Sequence, residues 1–229
     1  MHEWILSAFP ERRQVKIKIF KPGKRRKNIL PCYEAYNISF MQEKKLNLGS
    51  GEFPKTGFVN VDYFARIKPD VIHDLNVFPY PFQDNEFDFI EARHVLEHLK
   101  DPFGVMRELH RITKPGGKIL IKVPHFSRGF AHPEHTRGFD VYFPFFFNPE
   151  FSGGYQGVHF NVLKLKLRWF AQRHLKRKTL SVFTYAFGVS LSTFFDFFAR
   201  LSPFFCSRLW CFWVGGFEEV SFTFQPVKD

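Results

Sequence analysis

The chain has 229 residues, 45% of them hydrophobic, and a formal net charge of +11. This size and apolar content predict one folded domain with an elaboration and exclude a wholly disordered chain. Three cysteines without a CxxC pair argue against a disulfide framework or a zinc knuckle.

The charge is unevenly spread. Residues 1–40 carry 9 Lys/Arg against 3 Asp/Glu, residues 41–123 carry 12 against 12, and residues 124–229 carry 12 against 7. A neutral middle with basic flanks suits an anionic partner: nucleic acid, anionic lipid or a phosphorylated substrate. The first residues, "MHEWILSAFPERRQVKIKIF", lack a continuous apolar run after a basic start. No signal peptide is therefore expected, and a cytoplasmic address follows.

In chain order, "QVKIKIF" (14–20) alternates like a short strand, "KPGKRRKN" (21–28) is a basic turn, and "ILPCYEAYNISFMQ" (29–42) reads as a helix. From residue 44 strands and helices alternate. "KKLNLGSG" (44–51) is a strand ending on a glycine turn, "FVNVDYF" (58–64) ends at Asp62, and "PDVIHDL" (69–75) ends at Asp74. "FDFIEARH" (87–94) is a fourth strand. "DPFGVMRELHRI" (101–112) is a helix, with Phe103, Met106, Leu109 and Ile112 at helical spacing and Asp101-Pro102 as cap and first turn. "KPGG" (114–117) reads as a breaker turn before a fifth strand, "KILIKVP" (118–124). This order predicts an α/β fold, a Rossmann-like and mostly parallel sheet with helices on both faces.

The C-terminal third differs. "VLKLKLRWF" (162–170) alternates Leu163, Leu165 and Leu167 with basic residues, and "EEVSFTFQPV" (218–227) alternates in the same way. They are expected to form an antiparallel edge pair. Between them, "TLSVFTYAFGVSLSTFFDFFARLSPFF" (179–205) is Phe-dense and poor in charge. It is either a set of helices capping the sheet or an interfacial contact with an anionic membrane, beside the basic "RHLKRK" (173–178).

Ligands of open α/β sheets bind beyond the carboxyl ends of the strands. Those ends carry Gly49-Ser50-Gly51, Asp62, Asp74 and Ala92-Arg93-His94. Glycine lets a backbone approach a ligand, and one carboxylate can accept both hydroxyls of a ribose. Each residue alone is as readily a turn former or cap. No GxxxxGK[ST] or GxGxxG pattern is present, which leaves a phosphate-cradling loop unsupported.

The blocks "LNLGSGEFPKTGFVNVD" and "DVIHDLNVFPYPFQDNEFDFIEARHVLEHLKDPFGVMRELHRITKPGGKILIKVP", in this order and spacing, resemble the class I S-adenosylmethionine-dependent methyltransferases, of the small stand-alone type. The resemblance is close over residues 44–125 and loose beyond. It implies S-adenosylmethionine as cofactor, with Gly49, Ser50 and Gly51 under its methionine part. It implies Asp62 at the ribose, Tyr63 beside the adenine, and Asp74 with Leu75 at the adenine edge. Ala92, Arg93 and His94 would wall the sulfonium and the substrate entrance. Asn47 stands where many members carry an acid; it offers a hydrogen bond but no charge.

Candidate general bases follow the fifth strand: His125, His135 and Asp140, with His132 also titratable. No Cys or carboxylate cluster completes a metal set for the three histidines of this stretch, so no metal is expected. "HVLEH" (94–98) has its Glu misplaced for a zinc-protease motif. Phe143–Phe147 reads as core or pocket lining rather than a base-stacking platform.

The expected organisation is a basic extension, 1–40, then a methyltransferase-like domain, 41–229, with a variable acceptor region at 125–160 and a helical insert at 170–215. The acceptor implied by the resemblance is a small molecule, a glycan or a lipid-linked sugar of polysaccharide biosynthesis, methylated at oxygen or nitrogen. Two alternatives stay open: an RNA methyltransferase, favoured by the net charge, and a non-catalytic binding protein that keeps the fold.

Overall fold

The computed structural model describes residues 43–129 and 132–228, within one unit, Gln42–Asp229. The strand at 14–20, the helix at 29–42 and the basic extension expected from sequence lie outside the described residues.

Seven strands form one sheet in the order β3-β2-β1-β4-β5-β7-β6. They are β1 (Lys45–Leu48), β2 (Val59–Asp62), β3 (Val71–Ile72), β4 (Phe87–Arg93), β5 (Thr113–Pro124), β6 (Phe160–Arg168) and β7 (Glu219–Pro226). β3 through β5 pair in parallel, whereas β7 runs antiparallel to both β5 and β6. Leu46, Leu48, Ile90, Ala92, Ile119 and Ile121 are fully buried, as expected for central parallel strands covered on both faces.

Helix α1 (Pro102–Ile112) begins where Asp101 accepts a hydrogen bond from the Gly104 amide at 2.9 Å, and Val105, Met106, Leu109 and Ile112 point into the core. Phe103, on the flank of this stripe, stacks instead on Phe143 and packs against Phe147. Phe143 and Phe147 are themselves buried, so that part of the Phe run is core.

Two sequence expectations shift in register. The "KPGG" turn is absorbed into β5: Thr113 pairs with Phe87 and Lys118 with Phe89, with the irregularity between them. Gly116, at φ +79°, supplies the left-handed residue that this bulge needs. On β6 a second irregularity falls between Val162 and Lys164. Leu163, expected on the apolar face with Leu167, is 48% exposed, because the extra residue reverses the alternation.

Beyond the sheet lie α2 (Phe126–Gly129), α3 (Arg173–Thr179), α4 (Val182–Leu201) and α5 (Pro203–Arg208). α4 has an unusual polarity. The residues it buries are Gly188, Ser192, Asp196 and Ala199, a small and polar stripe at helical spacing. Asp196 accepts from Arg168 Nη1 at 2.8 Å and from the Trp169 amide at 2.9 Å, and Arg173 Nη2 donates to Ser192 at 2.9 Å. The aromatic side faces outward: Phe183 is 88% exposed, Phe187 67% and, beyond the helix, Trp213 80%.

Candidate active site

At the carboxyl ends of the parallel strands the chain forms a cleft of about 1190 Å³. One wall is the turn after β1, where Gly49 and Gly51 take φ +63° and +50°. A Cβ on Gly49 would come within 2.5 Å of Val95, so this position excludes any larger residue. The turn is closed by Asp62, whose two carboxylate oxygens accept the amide hydrogens of Gly51 at 2.8 Å and Phe64 at 3.0 Å. The short offset between the glycine turn and this acid follows directly: the carboxylate reaches back across one strand spacing.

Asn47 also lines the cleft. Its amide donates to Asn60 Oδ1 at 3.0 Å and to the Phe53 carbonyl at 3.3 Å, which leaves its own carbonyl oxygen free of protein donors among the described residues. Asn60 in turn is held by Asp70. The Asn47–Asn60 pair therefore fixes which atom Asn47 offers to a ligand, an acceptor without charge.

The far wall comes from β4, β5, β6 and β7. His94 follows β4 in the left-handed region, φ +55°, a strained conformation for a side chain with a Cβ and common where position matters for function. Its Nε2 lies 3.2 Å from Glu219 and 3.1 Å from the Gln172 amide nitrogen. Burial disfavours charge on this ring, but Glu219 and Glu97 on either side outweigh it and hold its pKa up at about 9. Lys122 and Arg168 add positive charge at the ends of β5 and β6, and Arg93, Arg173 and Lys55 complete the basic lining. Burial, with the Arg93 and Lys122 charges nearby, pulls the Lys55 ammonium down to about 8.

The expected cofactor residues divide between two places. Asn47, Gly49, Ser50, Gly51, Arg93 and His94 line this cleft. Asp62 stands behind the turn, and Tyr63 is 61% exposed beside it. Asp74 accepts from the amide and side chain of Asn76, which holds its carboxyl below the usual range. Leu75 is buried, its carbonyl accepting from Tyr80 at 3.0 Å, and Ala92 is in the core.

Of the titratable candidates, His132 lines the cleft, whereas His125, His135 and Asp140 lie outside its lining. His125 is fully buried, its ring between Ser127 at 2.7 Å and Ser207 at 2.8 Å. Burial, with the Arg208 charge, pulls its pKa down to about 4. Asp140 pairs with Arg208 at 2.7 Å. His135 Nδ1 donates to the Gly129 carbonyl at 2.5 Å, with its Nε2 3.9 Å from Glu97.

Sequence reasoning missed Lys122, Arg168 and Glu219. A usable signal existed for Glu219. Because β7 is antiparallel, its first residue, not its last, reaches the edge where the parallel strands end.

Residues 60–121 match a family described as "Methyltransferase domain". A demethylmenaquinone methyltransferase of Geobacillus kaustophilus is 34% identical over 90 residues, 39% of this chain and 34% of that one. An uncharacterized methyltransferase of Schizosaccharomyces pombe is 37% identical over 59 residues, 26% of this chain and 21% of that one. The chain thus spans only 34% and 21% of the length of these curated relatives. A solved S-adenosylmethionine-dependent methyltransferase of Archaeoglobus fulgidus is 16% identical, with a TM-score of 0.49 over 80% of this chain and 86% of that one. The matched segment, a methyltransferase domain by its description, runs from β2 into β5.

Proposed function

We propose that the protein transfers a methyl group from S-adenosylmethionine to an oxygen or nitrogen of an anionic small molecule, with a phosphate-bearing glycan or lipid-linked sugar as the preferred acceptor class. The observation that supports this most is the cleft itself: a glycine turn on one wall, and a lining in which Arg93, Lys122, Arg168, Arg173 and Lys55 outnumber Glu52, Glu134 and Glu219. The cofactor supplies an already activated methyl, so the protein has to align nucleophile and sulfur and exclude water. The Asn47 carbonyl oxygen would accept from the cofactor's polar end, which the glycine turn lets approach closely, and Asp62 would hold its ribose. His94, fixed by Glu219 and Gln172, would orient the acceptor. A quinone acceptor, which the name of the Geobacillus relative implies for that protein, suits five cationic side chains less well than an acceptor carrying phosphate.

The same reading includes contact with an anionic membrane at its cytoplasmic face. α4 is long and apolar enough to cross a bilayer by length and composition, yet its inward stripe is held by Arg168 and Arg173. It fits a helix lying on the surface, aromatic side down, beside the basic residues of α3.

Calorimetric titration with S-adenosylmethionine, followed by transfer of labelled methyl to phosphosugars, lipid-linked sugars and RNA, tests the proposal. Micromolar cofactor binding and methylated sugar support it, with Lys122→Ala raising the acceptor KM about 10-fold, as for loss of one charge-assisted contact. A folded protein that binds no cofactor overturns it in favour of a binding protein. Methylated RNA with steeply salt-dependent affinity overturns the acceptor class.

A further inference from the structure

Beside the cleft, Glu97 is fully buried, and among the described residues neither of its carboxylate oxygens has a hydrogen-bond partner. Buried polar groups are almost always satisfied, and the charge that faces this carboxylate, the His94 ring, reaches one oxygen only and out of line, so the other oxygen is left without a partner among the described residues. His94 Nδ1 approaches one oxygen at 3.3 Å without hydrogen-bond alignment, and its other nitrogen is engaged by Glu219. The second oxygen of Glu97 has no such neighbour.

Two imidazoles, His98 and His135, stand beside this carboxylate, and a third, His132, stacks on His135. The rings of His98 and His135 are 4.9 Å apart, those of His132 and His135 stack at 4.8 Å, and those of His98 and His132 lie 6.0 Å apart. One ligand atom from each of Glu97, His98 and His135 falls within 4.8 Å of the others. His135 is oriented for coordination. Its Nδ1, 2.5 Å from the Gly129 carbonyl, must carry the proton there, which leaves the Nε2 lone pair facing Glu97. A backbone carbonyl fixing the tautomer of a histidine in this way is the usual support of a metal ligand. The loop that carries His135 is pinned to the same place, since the Thr136 amide and hydroxyl both donate to the Glu97 carbonyl, at 3.1 and 2.9 Å.

We propose that Glu97, His98 and His135 form a binding site for a divalent first-row transition metal ion. Two imidazole nitrogens and one carboxylate select zinc, iron or manganese over magnesium or calcium, which prefer all-oxygen sets. Bonds of about 2.0–2.2 Å would bring the three ligand atoms some 3–4 Å apart, so closure by roughly an ångström completes the set. Three protein ligands leave a coordination position for water or another oxygen donor. The sequence hid this arrangement because the carboxylate comes from the turn after β4 and His135 from a loop 38 positions later.

The test uses untagged full-length protein, freed of metal with a chelator, and zinc chloride alone as probe in competition with a chromogenic chelator. One zinc per chain is expected. His98→Ala removes an exposed ring, and with unchanged circular dichroism it should weaken zinc by at least about 10-fold; Glu97→Gln should do the same, and His159→Ala should change nothing. Cobalt(II) in place of zinc should give a visible ligand-field band that His135→Ala abolishes. Less than stoichiometric zinc, or an affinity equal in His98→Ala and the unaltered protein, overturns the proposal.

Discussion

The Asp62 carboxylate accepts the Gly51 amide hydrogen at 2.8 Å, so the end of β2 locks the turn that follows β1. A single acid thereby joins the two halves of the proposed cofactor floor. Asp62→Ala should lower S-adenosylmethionine affinity about 10- to 100-fold, the range for losing a charge-assisted hydrogen bond, with calorimetry as readout. Equal affinity in the variant would remove Asp62 from the site.

The two glycines of that turn should respond unequally. Alanine at Gly51 meets nothing within 4 Å and bears only the strain of φ +50°. At Gly49 the added carbon also collides with Val95. Gly51→Ala should cost about 1 kcal/mol and Gly49→Ala clearly more, about 2–4 kcal/mol. Thermal denaturation ranks the pair, and the reverse order would contradict this account of the turn.

His125 makes stability depend on pH. Its folded pKa, about 4, lies below the ordinary histidine value of 6.5. Between these values the unfolded chain binds a proton that the folded chain refuses. The contribution is therefore complete above pH 6.5, falls as pH drops toward 4, and is gone below it. About 3 kcal/mol should be lost across that window. Urea midpoints at pH 7 and 4.5 measure it, and His125→Gln should flatten the profile. A slope that survives the substitution would place the effect elsewhere.

Membrane contact should need both aromatic and basic residues. The protein should pellet with vesicles containing phosphatidylserine at low salt and be released by salt. Phe183→Ser with Trp213→Ser should reduce the bound fraction several-fold, since both rings are almost wholly exposed and aromatic side chains favour the interface. Pelleting unaffected by these changes would assign the outward face of α4 to another partner.

The sheet was legible in the sequence because strand periodicity, the glycine turn and the Asp101-Pro102 cap are local signals. The glycine-turn wall of the cleft was legible for the same reason. The opposite wall was not. Lys122, Arg168 and Glu219 meet only through the pairing of β5, β7 and β6, a long-range event with no trace in any one segment. His125 shows the converse: a histidine just past a strand end reads as a base, but Ser207 from 82 positions away holds it in the core. The orientation of α4 was equally hidden, because a Phe-dense helix would ordinarily bury its aromatic side.

Arg168 stands at two boundaries at once. Its guanidinium lines the cleft and also donates to Asp196 at the middle of α4. Whatever settles that helix against a surface therefore sets the position of one charge in the acceptor wall, and a protein afloat and a protein docked would present different pockets to the same molecule.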